Sequence, residues 1–171
     1  MNVVLVGPCG VGKSTVGKCV ADLANLEYID FDAEGRLDGV VEKPPFSKYF
    51  LDFKRSLPIV IKNSTTGFVL DIGGDNVFNR NANNDERLDQ VLWVKNEYNV
   101  QFVVLTATKD ILKKRFFSSK GRSENGPDNF DKLWEEWSDI IKPYWEKCGD
   151  IFIDTSSLTV EEIRIQIEGI L

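Results

Sequence analysis

The chain has 171 residues, of which 42% are hydrophobic and 28% are charged, and it carries a net charge of −6. This length suits one domain with a sizeable core, and the acidic balance argues against a general nucleic-acid binder, which is usually basic. No apolar run is long enough for a transmembrane helix and no signal peptide precedes the first strand, so we expect a cytoplasmic protein without a membrane partner. Because the sequence lacks histidine, any general base must be a carboxylate or a lysine.

The first element in chain order is a short apolar run, residues 3–6, which indicates a buried strand. A glycine-rich segment, residues 7–14, follows it. Next comes a helix pattern beginning at Lys13, whose apolar face is predicted to consist of Val16, Val20, Leu23 and Ala24.

The glycine-rich segment matches the phosphate-binding loop pattern G-x-x-x-x-G-K-[ST], in the strand–loop–helix setting that this pattern requires. Its glycines let backbone N–H groups converge on an anion, and the helix that follows adds its positive end. In such loops the lysine reaches the β- and γ-phosphates and the hydroxyl ligates Mg²⁺, which assigns these roles to Lys13 and Ser14. We therefore expect a nucleoside triphosphate and Mg²⁺ as cofactors, with these residues at the nucleotide: Gly7, Gly10, Val11, Gly12, Lys13, Ser14 and Thr15.

Strand and helix patterns continue to alternate along the rest of the chain, which predicts an α/β fold with a five-stranded parallel sheet flanked by helices. Further strands are predicted over residues 26–31, 67–71, 101–105 and 151–153, and further helices through residues 88–94 and over 109–117, 131–147 and 160–171. Residues 76–85 are expected to be a polar connection. The whole chain, 1–171, is predicted to be one three-layer P-loop domain, with a mobile lid at about 118–131 and an acceptor-binding region at about 32–63.

Acidic residues follow three of the predicted strands, and ligands of such sheets lie at the carboxyl ends of the strands. Asp32 is predicted to accept or orient the proton of an acceptor hydroxyl, while Asp30 and Asp71 are alternatives for the metal. Asp75, with Gly73 and Gly74, is expected near the acceptor. The structural alternative is that these carboxylates cap helices or turns, as aspartate often does after strands.

Arginines are expected to supply positive charge to the transferring phosphoryl group. Arg122 lies in the predicted lid, where closure would bring it to the γ-phosphate, and Arg115 ends the helix before the lid. The alternative for both is a solvated charged surface. Three of the tryptophans, at positions 134, 137 and 145, are spaced as core residues rather than as a ligand platform.

The chain resembles the shikimate kinase group of the nucleoside-monophosphate-kinase-like P-loop kinases. The resemblance is strongest in the loop, Gly-Pro-Cys-Gly-Val-Gly-Lys-Ser-Thr-Val-Gly-Lys over residues 7–18, and in the aromatic-x-Asp-x-Asp element over residues 28–32. It implies that Asp30 is associated with the metal and Asp32 with the acceptor hydroxyl. It also implies that Gly73 and Gly74 lie against the acceptor, that Arg115 stacks on adenine and that Arg122 is the lid arginine.

Departures from the family pattern fall on the acceptor side. Asp75 replaces the third glycine of the family's triplet, and the family's late-helix substrate arginine falls at Ile141. The family's arginine after the second strand has no clear counterpart. Because those arginines would hold the carboxylate of shikimate, we expect an ATP-dependent kinase whose small-molecule hydroxyl acceptor is different from shikimate.

Two alternatives remain open at this point. A nucleoside or nucleotide kinase would suit Asp71 at a strand end and Arg36 in the helix expected after the second strand, although such enzymes usually need several arginines around the acceptor phosphate. A nucleotide-binding regulator would retain Lys13 and Ser14 and lack an acceptor pocket. The sequence leaves open the acceptor and the choice between ATP and GTP, and it is compatible with a monomer or a weak homodimer.

Overall fold

Strands and helices alternate throughout the computed structural model, which describes residues 2–31, 64, 66–118 and 126–169. The strands are β1 (Asn2–Val6), β2 (Glu27–Asp30), β3 (Phe68–Asp71), β4 (Val100–Thr106) and β5 (Ile151–Asp154). The helices are α1 (Lys13–Ala24), α2 (Gly74–Val77), α3 (Asn84–Tyr98), α4 (Lys109–Ser118), α5 (Gly126–Glu135), α6 (Lys142–Cys148) and α7 (Val160–Glu168), with a π-helical segment, Glu136–Ile141, joining α5 to α6. Within the described ranges, no helix has the length and apolar character needed to cross a bilayer.

The five strands form one parallel sheet in the order β2-β3-β1-β4-β5, as the alternating pattern predicts. The first strand is central, with Val4 in register with Leu70 on one side and Phe102 on the other. Parallel sheets are covered by helices on both faces, so their strands are apolar on both faces. This explains why residues 3–6 are continuously apolar and fully buried.

Two hydrophobic clusters cover the two faces of the sheet. One contains Val4, Phe102 and the indole rings of Trp137 and Trp145, and the other packs α1 and α7 against Val3 and Leu5. Successive strand residues point to opposite faces, which is why neighbours in β1 belong to different clusters. The burial of Trp137 and Trp145 confirms that these tryptophans are core residues.

The buried face of helix α1 agrees with the prediction at Val16 and Val20 and differs from it at Leu23. Its buried residues are Val16, Gly17, Val20 and Ala21, whereas the side chain of Leu23 is 61% exposed. These buried residues form a stripe along the helix that is centred between Val16 and Ala21. Leu23 lies at the edge of that stripe, in the last turn of the helix. The prediction for Leu23 is therefore wrong.

Helical structure also begins earlier in the sequence than expected at two places, α5 and α2. Helix α5 starts at Gly126 rather than at residue 131, and Phe130 is buried with its ring centroid 5.5 Å from that of Phe116. The short helix α2 starts just before the stretch 76–85, which was expected to be a polar connection. At the start of α5, the contact between Phe130 and Phe116 stabilises the extra turn. Local composition does not reveal this contact.

Candidate active site

A cavity of about 940 Å³ lies where the carboxyl ends of several strands meet the glycine-rich loop. This is the position in which open parallel sheets bind their ligands. Its walls are formed by the loop, by acidic residues at the ends of strands and by a group of aliphatic side chains. The lining residues are Gly7, Cys9, Gly10, Val11, Gly12, Lys13, Ser14, Thr15, Val16, Asp30, Asp71, Gly73, Asp75, Arg115, Ser118, Leu133, Thr155, Leu158, Val160 and Ile163.

The shape of the loop depends on its glycines. Gly10 and Gly12 adopt φ values of 84° and 101°, a region that residues with a Cβ rarely enter. At Gly7 a Cβ would lie 2.4 Å from the carbonyl oxygen of Leu105, so the loop approaches the end of β4 too closely for any side chain. The loop then leads directly into α1, whose first residues line the cavity, and a helix N-terminus of this kind favours an anion.

Lys13 places the positive charge of the site. Its ammonium group donates a hydrogen bond to the carbonyl oxygen of Gly7 at 3.2 Å, so the side chain folds back across the loop. Its charge also favours the ionised form of the nearby Asp71 carboxyl and so acts to lower the pKa of that group. A phosphate entering the loop would therefore meet the ammonium group at the cavity wall.

Asp71 is the most buried carboxylate on the cavity wall, with only 5% of the residue exposed. Its Oδ2 accepts hydrogen bonds from the Ser14 hydroxyl at 2.7 Å and from the Tyr28 hydroxyl at 3.2 Å. Burial raises the pKa of Asp71, while the Lys13 charge and these two hydrogen bonds oppose that rise. Burial and the Asp71 charge also raise the pKa of Tyr28, so the phenol keeps its proton and donates.

The oxygen donors at this edge suit a hard divalent cation. Asp30 is in register with Asp71 across β2 and β3, and both line the cavity together with the Ser14 hydroxyl. The described part of the chain contains no group of three or more metal-ligating side chains poised around one point. Mg²⁺ does not require such a group, because it commonly binds through one or two carboxylates, water and substrate phosphates. These residues therefore fit the Mg²⁺ of a nucleotide complex.

At the other end of the cavity, Arg115 joins the loop to the segment after β5. Its guanidinium group donates to the Thr155 carbonyl oxygen at 2.8 Å, to the Thr155 hydroxyl at 2.9 Å and to the Val11 carbonyl oxygen at 3.4 Å. Leu133 and Leu158 line the same end. A fixed guanidinium plane beside aliphatic side chains provides a suitable wall for a flat aromatic ring.

The predicted acceptor residues have different positions in the structure. Gly73 and Asp75 line the cavity, and Asp75 is exposed. Gly74 instead packs against Trp137, where a Cβ would lie 2.7 Å from Cζ3 of the ring, and it is not among the described residues that line the cavity. Asp32 and Arg122 lie outside the described residues, as do the whole region 32–63 and residues 119–125 of the predicted lid.

Some residues at this site were not predicted from the sequence. The hydroxyl of Tyr28 reaches Asp71 from the neighbouring strand, although the sequence marks Tyr28 only as the aromatic residue of a motif. Cys9 and Ser118 also line the cavity. Their only sequence signal is position, inside the loop for Cys9 and at the end of a helix for Ser118.

Comparison with known proteins gives consistent results. The family model described as shikimate kinase matches residues 9–168. A shikimate kinase of Mannheimia succiniciproducens is 29% identical over 159 residues, which cover 90% of this chain and 85% of the relative.

Solved structures show the same fold. The structure of shikimate kinase from Acinetobacter baumannii in complex with shikimate superposes with a TM-score of 0.65 at 22% identity, covering 99% of this chain and 91% of that one. A gluconokinase from Sinorhizobium meliloti 1021 gives a TM-score of 0.56 at 19% identity, covering 96% of this chain and 87% of that one. At these identities the likeness concerns the fold.

Proposed function

The chain belongs to the shikimate kinase family and is an ATP-dependent small-molecule kinase, and we propose that its acceptor is a small hydroxyl compound other than shikimate. The observation that supports phosphoryl transfer by this chain is that the phosphate-binding loop and the acidic strand ends line the same cavity. Phosphoryl transfer needs both parts, because its transition state depends on positioning and charge neutralisation.

We assign the donor half of the reaction to the loop and α1. Backbone groups of the loop and the Lys13 ammonium group bind the β- and γ-phosphates, and the wall formed by Arg115 and Leu158 accepts the base. Ser14, Asp71 and Asp30 would hold Mg²⁺. When bound, that ion neutralises the phosphate oxygens as charge develops on them.

The acceptor half follows from the chemistry of the transfer. A bond forms between the acceptor oxygen and the γ-phosphorus, the bond from that phosphorus to the bridging oxygen breaks, and the hydroxyl proton leaves. Because the chain has no histidine, a carboxylate or a lysine must orient or take that proton, and we assign this role to Asp32 from its place in the aromatic-x-Asp-x-Asp element. Arg122 is proposed to reach the γ-phosphoryl group from the lid.

The identity of the acceptor is narrowed by two positions. Ile141 occupies the place that matches the family's late-helix substrate arginine, and its side chain is buried in the core with 3% exposed. Asp75 adds a carboxylate to the wall where the family pattern has a glycine. Both changes disfavour an acceptor that carries a carboxylate, since one removes a cation and the other adds a like charge.

The test is an assay of ADP formation with Mg²⁺ across acceptors of matched size, including shikimate, gluconate, neutral polyols, nucleosides and nucleoside monophosphates. We expect a hydroxyl compound that carries no carboxylate, and that is neither a nucleoside nor a nucleotide, to raise ADP formation and to gain a phosphate, as detected by mass spectrometry. The same reaction with Lys13→Ala should be slower by orders of magnitude, because β/γ-phosphate contacts are lost.

The other outcomes separate the alternatives. Efficient phosphorylation of shikimate would refute the acceptor assignment. Transfer to a nucleoside or nucleoside monophosphate would identify a nucleotide kinase. Tight ATP binding without transfer to any compound would indicate a nucleotide-binding regulator.

A further inference from the structure

Tyr28 and Ser14 bind the same oxygen atom of a cavity carboxylate. The Ser14 hydroxyl donates to Asp71 Oδ2 at 2.7 Å, and the Tyr28 hydroxyl donates to that oxygen at 3.2 Å. The two donors come from different elements, α1 and β2, and Asp71 itself ends β3. Two elements therefore donate hydrogen bonds to one oxygen atom at the cavity wall, and a third element carries that oxygen.

The ring of Tyr28 is held in place from the side of α1. A Cβ at Gly17 would lie 2.8 Å from Cε2 of the ring, so the ring lies directly on the helix backbone. The Lys18 ammonium group lies 5.5 Å from the ring centroid, and the strand of Tyr28 pairs in register with β3. Because the ring is fixed by packing and its strand by pairing, the hydroxyl has a defined position relative to Asp71.

A carboxylate with two hydrogen bonds to one oxygen has a restricted orientation. Both hydroxyls use Oδ2, and within the described ranges no residue donates a hydrogen bond to Oδ1, so Oδ1 can serve a ligand in the cavity that Asp71 lines. Groups that orient a metal-binding carboxylate affect metal affinity although they do not touch the ion. Tyr28 has the geometry of such a group.

We propose that Tyr28 is a positioning residue, which orients the Asp71 carboxylate for the metal–nucleotide complex. The proposal rests on the metal assignment made under the proposed function, and it adds the residue that holds Asp71 in place. Tyr28 itself does not touch the phosphates or the acceptor in this account. Removing its hydroxyl should therefore weaken the effect of Mg²⁺ on nucleotide binding and leave metal-free nucleotide binding intact.

The experiment compares Tyr28→Phe with Tyr144→Phe by titration calorimetry of ADP, with a series of Mg²⁺ concentrations and with EDTA. Tyr144 is a matched control, because its hydroxyl also donates to a carboxylate, that of Asp85, at an exposed position. For Tyr28→Phe we expect the Mg²⁺ concentration that gives half of the metal-dependent gain in affinity to rise roughly tenfold, the lower end of the effect of such outer groups. Affinity in EDTA should be unchanged, and Tyr144→Phe should match the wild type in both conditions.

A double-mutant cycle with Asp71→Ala tests whether Tyr28 acts through Asp71. We expect Tyr28→Phe to have no further effect on the Mg²⁺ dependence once Asp71 is removed. An unchanged Mg²⁺ dependence in Tyr28→Phe, an equal loss of affinity with and without Mg²⁺, or a full effect in the Asp71→Ala background would overturn the proposal. Because the binding readout needs no acceptor, these outcomes remain distinct from a failure of the kinase proposal.

Discussion

At the scale of single residues, the site combines the buried carboxylate of Asp71 with the nearby ammonium group of Lys13. Asp71 is largely removed from water, and the Lys13 charge together with two hydroxyl donors only partly offsets the cost of burying its charge. The sequence predicts the loop residues well, because their spacing is tied to one function. It does not predict that Ser14, Tyr28 and Asp71 meet, since these residues are separated by 43 and 57 positions along the chain.

The buried acid should destabilise the free protein at neutral pH. Burial raises the pKa of Asp71 above its ordinary value, so the group stabilises the fold while it is protonated, and this stability is lost as the pH rises through the folded-state pKa. We expect Asp71→Asn, which stays neutral and keeps an acceptor oxygen, to melt at a higher temperature than the wild type at pH 7. The difference should disappear below the unfolded pKa of about 4. Thermal unfolding between pH 3 and pH 8, without nucleotide or metal, measures both effects.

The control for this prediction is Asp131→Asn, for which the sign is opposite. Hydrogen bonds and charge from Lys109, with a contribution from Lys113, lower the pKa of Asp131. The ionised form of Asp131 therefore favours the fold above the unfolded pKa, and that benefit is lost as the pH falls. If Asp71→Asn were no more stable than the wild type at pH 7, the burial of Asp71 would not be a net cost.

At the scale of elements, the π-helical segment Glu136–Ile141 supports the short helix α2 that follows β3. It carries Trp137 onto Gly74, and Glu136 accepts a hydrogen bond from the backbone N–H of Arg80 at 3.1 Å. Gly74 in turn donates its backbone N–H to the carbonyl oxygen of Gly7. Such π-helical insertions frequently occur at functional sites, and here the insertion packs against the helix that follows β3.

We expect Gly74→Ala to destabilise the fold by about 1–3 kcal/mol, the usual cost of overpacking a core. The added Cβ would lie 2.7 Å from the rigid, buried ring of Trp137. Gly73→Ala is a matched control, because its Cβ would meet the movable carboxylate tip of Asp75 at 2.8 Å and its φ of −59° suits alanine. Urea unfolding should show a clear loss for the first variant and a smaller one for the second. Equal losses would contradict this account of Gly74.

The elements differ in how well their sequences predict them. The strands were predicted within one or two residues, and the inner strands β1 and β3 are the clearest case, because strands buried on both faces read as apolar runs. Helix α2 was not predicted, since it is only four residues long. The start of helix α5 was predicted too late, since it precedes Phe130, which packs on another helix. Tertiary contacts set these boundaries, and local composition does not encode them.

At the scale of the whole molecule, the sheet divides the chain into a core and a ligand-facing edge. Cys148 is buried in the core, and burial raises the pKa of its thiol to about 12. Cys9 lines the cavity and is partly exposed, as is Cys19 on α1. None of the three forms a disulfide bond.

This division predicts a pattern of cysteine labelling. With iodoacetamide at pH 8, followed by peptide mass spectrometry, we expect Cys9 and Cys19 to be modified in the folded protein and Cys148 to remain unmodified. ATP should protect Cys9 alone, because Cys9 is the cysteine that lines the cavity. Protection of Cys19 to the same degree would point to a global change on binding, and no protection of Cys9 would place the nucleotide elsewhere.

The amino-acid pattern alone was sufficient for the class of fold, the parallel sheet and the phosphate-binding loop. These features are local: apolar periodicity follows from which faces are buried, and the loop needs glycines, a lysine and a hydroxyl at fixed spacing. The tertiary structure decided which carboxylate meets Ser14, which residues of α1 are buried, and that the Tyr28 hydroxyl donates to the same carboxylate. Those outcomes depend on strand order and on packing between distant segments, and parallel strands bring residues together only after the intervening helices have been placed.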